Sequence, residues 1–473
     1  MIAAAAIATW VLGSSRAWLG LRRALDRPGP AQERVLRRIV EAGESSAFGR
    51  AHDLRGARSP SAFASRVPLA RWDDLAPWIE RAASGEPDVL TTSPVTRFEP
   101  TSGSTRARKL VPSTPASRAE LRRAVGAWVA DTYGRDPALA RGPAYWSISP
   151  TVPAERTAGG IPVGFDDDAS ILGGWVEAVV RRGLVGPPRG LDGEAFWGAT
   201  ADALIAARDL TLISVWSPSF GSLLLDAVER RGGAAWPRLR LLSAWADASA
   251  APEVERLRAR LPGVAFQAKG LLATEGIVSV PFGGAHPLAL TSHYLELERD
   301  DGEVIPLWTA RPGDEGCVVL TTGAGLWRYQ LRDRIAVTAR LRATPTIRFL
   351  GRQDRVSDLR GEKLAEPFVA AVLADLPGFA LLAPEGDRYV LYAEHAVDPG
   401  AIDARLCENP HYRWCRSVGQ LGPLGWVRVG PDAGARYVAH KAASGQRWGD
   451  VKLPRLETVG GWATLGQPTR DTG

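Results

Sequence analysis

Lysine is nearly absent from this chain. Five lysines stand against 53 arginines, so Lys109, Lys269, Lys363, Lys441 and Lys452 are exceptions to a sequence that writes positive charge as arginine. An ammonium is a compact point charge and a guanidinium a planar fork, so each lysine is a position to locate. Cysteine is scarce as well. Cys317, Cys407 and Cys415 are odd in number and lack metal-like spacing, which excludes a disulfide framework and fits reduced thiols in a cytosol. The six histidines form no pattern. His286 and His293 suit a strand and turn as well as a ligand pair, and no metal-histidine site is read. No G-x-S-x-G elbow is present, which argues against a serine hydrolase. No G-x-x-x-x-G-K-[ST] is present, which argues against a P-loop NTPase.

The net charge is +6, yet no basic run exists. Arginine pairs fall on separate amphipathic segments ("LRRAL", "VLRRIV", "VVRRGLV"), which read as solvated helix faces rather than a nucleic-acid surface. A mild positive field attracts anionic substrates. With 473 residues, 45% hydrophobic and 23% charged, the chain is an ordinary globular protein with one large domain and a smaller one. The first 25 residues have an apolar run of about a dozen, short for a bilayer and without the basic flank of a signal peptide. Ile7, Trp10, Val11, Trp18 and Leu21 recur at roughly helical spacing, so a helix docked on the core is expected, with membrane-surface attachment as the other reading.

Residues 1 to about 90 read as helices from apolar positions at three and four spacing. "RFEPTSGSTRARKLVPST" reads strand–loop–strand, and "SRAELRRAVGAWVADTYG" as a helix. From about 143, short apolar runs alternate with helices, the signature of α/β layers. After Phe282 the pattern becomes strands with turn signals, a β-rich barrel or meander. The expected fold class is α/β: a large N-terminal domain of layered sheets and helices with a β-rich barrel part, over 1–350. A hinge at 351–361 then joins it to a small α+β domain at 362–460, followed by a tail at 461–473.

The loop "TSGSTRARK" sets Thr101, Ser102, Ser104 and Thr105 around Gly103, with Arg106 and Lys109 behind them. Hydroxyls and backbone N–H groups at such a turn bind phosphate oxygens. An exposed β-turn is the alternative. The loop resembles the phosphate loop of adenylate-forming enzymes. "LLATEG", from Leu271 to Gly276, resembles their aromatic-G-x-T-E motif. "GLWRYQLRD", ending at Asp333, resembles their ribose motif, and "GRQDRVSDLRGEKLAE", from Gly351, their hinge. The order matches too. Within that superfamily, "VPLARWDDLAPWIERAASGEPDVLT", "GLWRYQL", "ENPHYRWCRSVGQL" and "GDVKLPRL" look like the auxin-responsive (Gretchen Hagen) acyl acid amido synthetase family, in its bacterial form, from about residue 30 to 460.

The resemblance implies an ATP-dependent ligase that activates a carboxylic acid as an acyl adenylate and passes it to an amine, usually of an amino acid. It implies ATP and Mg²⁺ as cofactors. Thr101, Ser102, Gly103, Ser104, Thr105, Arg106 and Lys109 would hold phosphates. Leu271 would cover adenine, Asp333 the ribose hydroxyls, and Arg352 the ribose or phosphate. Glu275 would bind Mg²⁺, Thr274 would assist at the α-phosphate, and Lys452 would contact the carboxylate and α-phosphate. Each has a plainer reading: a helix-capping pair for Thr274 and Glu275, a salt bridge to Arg328 or Arg334 for Asp333, a surface arginine for Arg352, a tail lysine for Lys452. Lys269 packs or pairs, Lys363 lies near the hinge, and Lys441 has no motif.

Three positions depart from the family pattern. Arg106 and Arg332 stand where glycines are usual, and Leu271 where an aromatic is usual. Tyr145, Trp146, Trp216 and Phe220 either line a pocket for an apolar or aromatic acid or belong to the core. An acyl-CoA synthetase or carrier-loading enzyme, and a silent acid- or nucleotide-binding homologue, are the competing readings. Expected partners are small acids and amines, with no nucleic acid and no stable membrane insertion, in a cytoplasmic monomer.

Overall fold

Periodicity in the first ninety residues becomes six helices: α1 (Ile2–Gly13), α2 (Ser15–Ala24), α3 (Pro28–Gly43), α4 (Ala47–Ala51), α5 (Pro60–Arg66) and α6 (Trp72–Ala83). The structure is a computed structural model. It describes the chain apart from residues 1, 101–108, 147–154, 165–173, 187–190, 192, 248–249, 354, 418, 445, 447, 449–450 and 467–473. Ser46 and Ser59 cap α4 and α5 by accepting N–H bonds from Gly49 (3.0 Å) and Ala62 (3.2 Å). Helix α1 buries Ile7 and Trp10, as a docked helix should. Ile2 and Leu12 stay exposed. Because α2 continues it, the apolar stretch Ile2–Ala24 spans 23 residues, long and apolar enough to cross a membrane by length and composition.

The chain divides into two compact units. The first comprises Met1–Trp216, Leu224–Ala244 and Gly263–Phe349; the second comprises Ser217–Leu223, Trp245–Pro262 and Leu350–Gly473.

In the first unit, β1 (Arg97–Pro100) and β2 (Leu110–Ser113) pair antiparallel, closing with Pro100 opposite Leu110. Helix α7 (Pro115–Arg135) follows, capped by Thr114. β3 (Ala144–Trp146) leads into a parallel sheet; β4 (Glu155–Arg156) and β5 (Pro162–Val163) join β1. The parallel sheet runs β6-β3-β7-β8-β9, with β6 at Leu184–Val185, β7 at Leu212–Ser214, β8 at Leu241–Ala244 and β9 at Ala265–Ala268. The chain leaves β3 first to one side and then to the other. Such a reversal opens a ligand crevice at the carboxyl ends of the strands. A short hairpin follows, β10 (Leu272–Ala273) with β11 (Gly276–Ile277). The β-rich part is an antiparallel sheet ordered β13-β12-β14-β15-β16, with β12 at Tyr294–Glu298, β13 at Val304–Pro306, β14 at Glu315–Thr321, β15 at Tyr329–Leu341 and β16 at Thr344–Arg352.

Buried polar groups pin these layers. Gln32 of α3, fully buried, donates to the carbonyls of Leu290 (2.9 Å) and His293 (2.7 Å) and accepts from the Leu295 N–H (2.9 Å). Arg328 makes a two-pronged pair with Glu296 at 3.0 Å on each arm and donates to the Val67 carbonyl at 2.8 Å. Both side chains are buried.

In the second unit a three-stranded sheet (Ala380–Glu385, Arg388–Ala393, Gly425–Arg428) buries both faces. Ala380 and Leu382 enter one core, while Phe379, Leu381 and Ala383 enter the other, the period-two alternation of a strand. Lys441, motif-less in the sequence, is buried and bonded to Glu457 at 2.7 Å. Trp462 and Leu465 also pack in the second core, so the ordered chain runs past the point where a tail is expected.

Glu296→Ala should cost about 3–5 kcal/mol, because it strands the Arg328 charge in the interior. Chemical denaturation would measure it, and a loss below about 1 kcal/mol would contradict the assigned role of the pair.

Candidate functional site

Thr101, Ser102, Gly103, Ser104, Thr105 and Arg106 lie outside the described residues. The strands that carry them are described: β1 and β2 hold residues 100 and 110 opposite each other. Lys109 sits at the foot of β2 with its ammonium 5.6 Å from the Trp72 ring centre, a cation–π placement.

Thr274 and Glu275 form the two-residue turn of the β10–β11 hairpin. No helix starts there, so the capping reading falls. Thr274 is exposed and Glu275 half-buried. The turn is braced from below. A side chain added at Gly276 would meet His293 Nε2 at 3.0 Å. His293 cannot easily yield, because its Nδ1 donates to Glu120 at 3.0 Å. Glu120, buried on α7, also accepts the Gly323 N–H at 2.9 Å. Leu271 is buried in the core of the first unit, and its N–H donates to Ser279 Oγ at 2.9 Å.

The "GLWRYQLRD" segment is fastened residue by residue. Gly325 has φ +86 beside Leu90, and Trp327 is buried with its indole N–H on the Leu90 carbonyl at 2.9 Å. Both alternative partners of Asp333 are engaged by other carboxylates: Arg328 by Glu296, and Arg334 by Asp300 and Glu315. Asp333 itself is buried in β15. Between the pairs Val319–Gln330 and Cys317–Arg334, β15 carries extra residues, a bulge containing Leu331, Arg332 and Asp333. Arg332 adopts φ +64 there. A left-handed residue in a bulge is ordinarily glycine, which accounts for the family's usual residue at this position. Bulges re-aim the side chains they carry, and Asp333 is in this one.

Tyr145 and Trp146 end β3, and Trp216 follows β7, at the carboxyl edge of the parallel sheet. Tyr145 is fully buried. Trp146 packs edge-on to Trp10 and tilted against Trp128, with ring centres 5.4 Å apart in each pair. Lys269, one residue past β9, is the residue sequence reasoning missed. Its ammonium lies 4.1 Å from the Trp216 ring centre, 5.2 Å from Trp128 and 5.8 Å from Trp146, and donates to Ser214 Oγ at 2.9 Å. Lysine rarity was the available signal; its ring partners come from three separate elements.

Phe220, Arg352 and Lys452 belong to the second unit. Phe220 is fully buried, and Arg352 is half-buried at the end of β16. Lys363 is exposed with φ +46. Lys452 is exposed but placed: its ammonium lies 4.4 Å from the Trp245 ring centre. It also pulls on Glu366, whose carboxyl burial nonetheless pushes up against the opposing charges of Arg355 and Lys452. Among the described residues, no cluster of three metal-ligating side chains occurs.

The fold is that of the adenylate-forming ligases. The structure superposes with TM-score 0.77 on AtGH3.15 acyl acid amido synthetase in complex with 2,4-DB, at 18% identity and over 95% of each chain. It superposes with TM-score 0.55 on 2-hydroxyisobutyryl-CoA ligase in the postadenylation state, at 15% identity, over 91% of this chain and 89% of that one. Family models match residues 20–166 as GH3 family N-terminal domain and residues 288–352 as GH3 family central domain. In these two segments the chain is similar to the GH3 family. A probable indole-3-acetic acid-amido synthetase, GH3.12 of Oryza sativa subsp. japonica, is 23% identical over 90% of each chain. The jasmonoyl-L-amino acid synthetase GH3.3 of the same plant is 39% identical, over 16% of this chain and 17% of its own.

Two substitutions probe the geometry. Arg332→Gly should fold with equal or up to about 1 kcal/mol greater stability, since glycine adopts the bulge conformation without strain. AMP formation from ATP and acid should stay within about threefold; a larger drop would give the Arg332 side chain a direct role. Gly276→Ala should press on the anchored His293 and cost about 1–3 kcal/mol in thermal or chemical denaturation. Unchanged stability would show that the hairpin is not braced in this way.

Proposed function

We propose that this chain is an ATP-dependent, AMP-forming ligase that activates a carboxylic acid and joins it through an amide to the amine of an amino acid. Its similarity to GH3 family domains and to amido synthetases supports the class. The observation that carries the reading is that a chain with this fold and these family-like motifs has a carboxylate at both motif positions, Glu275 on its hairpin turn and Asp333 on its bulge. A carboxylate is a poor electrophile, because its leaving group would be oxide. One carboxylate oxygen attacks the α-phosphorus of ATP, the bond to the β-phosphate oxygen breaks, and pyrophosphate leaves. The amine nitrogen then attacks the acyl carbon, AMP departs with the electron pair of the C–O bond, and the nitrogen loses a proton.

In this reading the loop from Thr101 to Arg106, with Lys109, neutralises phosphate charge, and Asp333 accepts from the ribose hydroxyls. Leu271 and Arg352 serve the nucleotide, while Tyr145, Trp146, Trp216 and Phe220 serve the acid. Glu275 is a hard oxygen donor of the kind Mg²⁺ accepts, and one carboxylate suffices where phosphates and water complete the shell. Bound there, Mg²⁺ would supply charge neutralisation on the phosphates. Thr274 assists beside it, and Lys452 serves adenylation. Residues 351–361 act as the hinge for 362–460, and a cytoplasmic, bacterial monomer completes the proposal.

The deciding experiment mixes a broad acid panel with amino acids or CoA in the presence of MgATP and reads products by mass. Amides should form with AMP; thioesters formed in their place would move the chain to the acyl-CoA ligases. Glu275→Ala and Asp333→Ala should reduce AMP formation at least about 100-fold in folded protein; full activity in either would sink the site. Lys452→Ala should slow adenylation more than amide formation from supplied acyl adenylate, and equal loss in both steps would remove its role.

A further inference from the structure

We infer that the outward face of the helical stretch α1–α2 is a docking surface for an anionic lipid bilayer, on which the protein rests peripherally. Attachment of this kind is independent of the ligase chemistry proposed above. Ser14 keeps helical dihedrals between the two helices, and its N–H donates to the Trp10 carbonyl at 2.9 Å, so one helical register runs through both. Ile2, Thr9, Leu12, Arg16, Leu19 and Arg23 follow one another at intervals of three, four or seven, and so share one side of that stretch. All six are exposed. The other side carries Ile7, Trp10 and Leu21 into the core of the first unit. Among the described residues five large hydrophobic side chains are exposed. Three of them, Ile2 (75%), Leu12 (73%) and Leu19 (40%), fall on this one line. Exposed apolar side chains scattered singly are ordinary, whereas three aligned on one helix face mark a contact surface.

Two features say what covers this face. The first is the character of α1. It carries no charged side chain, and its one hydroxyl, on Thr9, donates back to the Ala5 carbonyl at 2.8 Å. A helix apolar all round is ordinarily enclosed by protein or by lipid. Here 22% of the apolar stretch within Ile2–Ala24 is buried by protein. The second feature is charge. The first acid of the sequence is Asp26, so residues 2–25 carry Arg16, Arg22 and Arg23 and no carboxylate. All three arginines are exposed on α2, and Arg22 lies over the Trp18 ring at 5.1 Å. Asp131, which accepts the Trp18 indole N–H at 3.1 Å, also holds the Gly283 N–H, and Asp26 is paired with Arg342 at 2.8 Å. An apolar strip that ends in cations complements a leaflet whose hydrocarbon lies beneath anionic headgroups. Ile2, Leu12 and Leu19 enter the acyl boundary, and the arginine stems run along it until the guanidiniums reach the phosphates. Because Ile7, Trp10 and Leu21 are committed to the core, the stretch lies along the bilayer surface and does not cross it.

The test sediments the full chain with vesicles of phosphatidylcholine alone, and with vesicles of phosphatidylcholine and phosphatidylserine in equal parts. Binding to the mixed vesicles should be at least about tenfold tighter, since each arginine beside an anionic leaflet contributes about fivefold. It should weaken at least about threefold in ~0.5 M salt, which screens the charges. Leu12→Glu, at an exposed position that leaves the core intact, should lower binding about tenfold or more. Arg16→Glu combined with Arg23→Glu should abolish the preference for the mixed vesicles, with circular dichroism showing that both variants are folded. No binding to either vesicle, equal binding to both, or undiminished binding in either variant overturns the inference. Light scattering without lipid tests the other occupant: a dimer that Leu12→Glu dissociates would assign the face to a second copy of the chain and overturn the lipid. Membranes of cells expressing the full chain should release it into alkaline carbonate. Retention there, the mark of a crossing helix, or recovery of a chain cleaved beyond Ala24, the mark of a signal sequence, also overturns it.

Discussion

Glu120 is the carboxylate on which the first unit turns. It is 1% exposed, and it meets His293 on one side and the Gly323 N–H on the other, with Arg38 of α3 at 3.4 Å. A buried carboxylate is tolerated only when such partners replace its water. Satisfying it therefore fixes four pieces of chain relative to one another: α3, α7, the entry to β12, and the turn that opens "GAGLWRY". Two of the family-like motifs hang from this junction. His293 supports Gly276 beneath the Thr274–Glu275 turn, and Gly323 leads into the segment that ends at Asp333. The junction explains how two motifs distant in sequence keep one geometry without touching a ligand themselves.

The second constraint is backbone handedness. Arg328 and Arg332 both take positive φ. For a residue with a Cβ that conformation costs about 1–2 kcal/mol, so something must hold each one. Arg328 is held by Glu296 and the Val67 carbonyl. Arg332 is held by the register on either side of its bulge, where buried Leu331 and Asp333 leave the strand no other way to place its residues. Strain of this kind accumulates where a side chain must be aimed.

What the sequence made legible was local. The six early helices follow from three-and-four spacing, and the β1–β2 hairpin from strands flanking a Ser- and Thr-rich loop around one glycine. The Thr274–Glu275 pair was ambiguous because a three-residue apolar run beside a Thr-Glu pair fits a helix start as well as a hairpin. Only pairing of Ala273 with Gly276 decides it. The long-range features were closed to sequence reading. Nothing in "SPSFGSL" or in Trp245–Pro262 announces membership of the second unit. The bulge at Arg332 depends on the register with β14, which one strand cannot reveal. The cage around Lys269 assembles from α7, β3 and the residues after β7, each of which alone reads as core.

The five lysines show how composition becomes structural information. Four of the five sit against aromatic rings, where arginine and lysine are not interchangeable. Lys269 and Lys441 occupy buried sites ringed by aromatic faces, and Lys109 and Lys452 each lie on a tryptophan. A guanidinium is wider and carries five donors in a plane, so burying it obliges the protein to satisfy more of them. An ammonium between ring faces asks for fewer acceptors, because the aromatic quadrupoles meet part of its charge. Lys441 completes its shell with Glu457 inside the protein. Lys269 donates to Ser214 and faces the rings of Trp128, Trp146 and Trp216. In both places the ring faces let an ammonium sit where a guanidinium would ask for more acceptors.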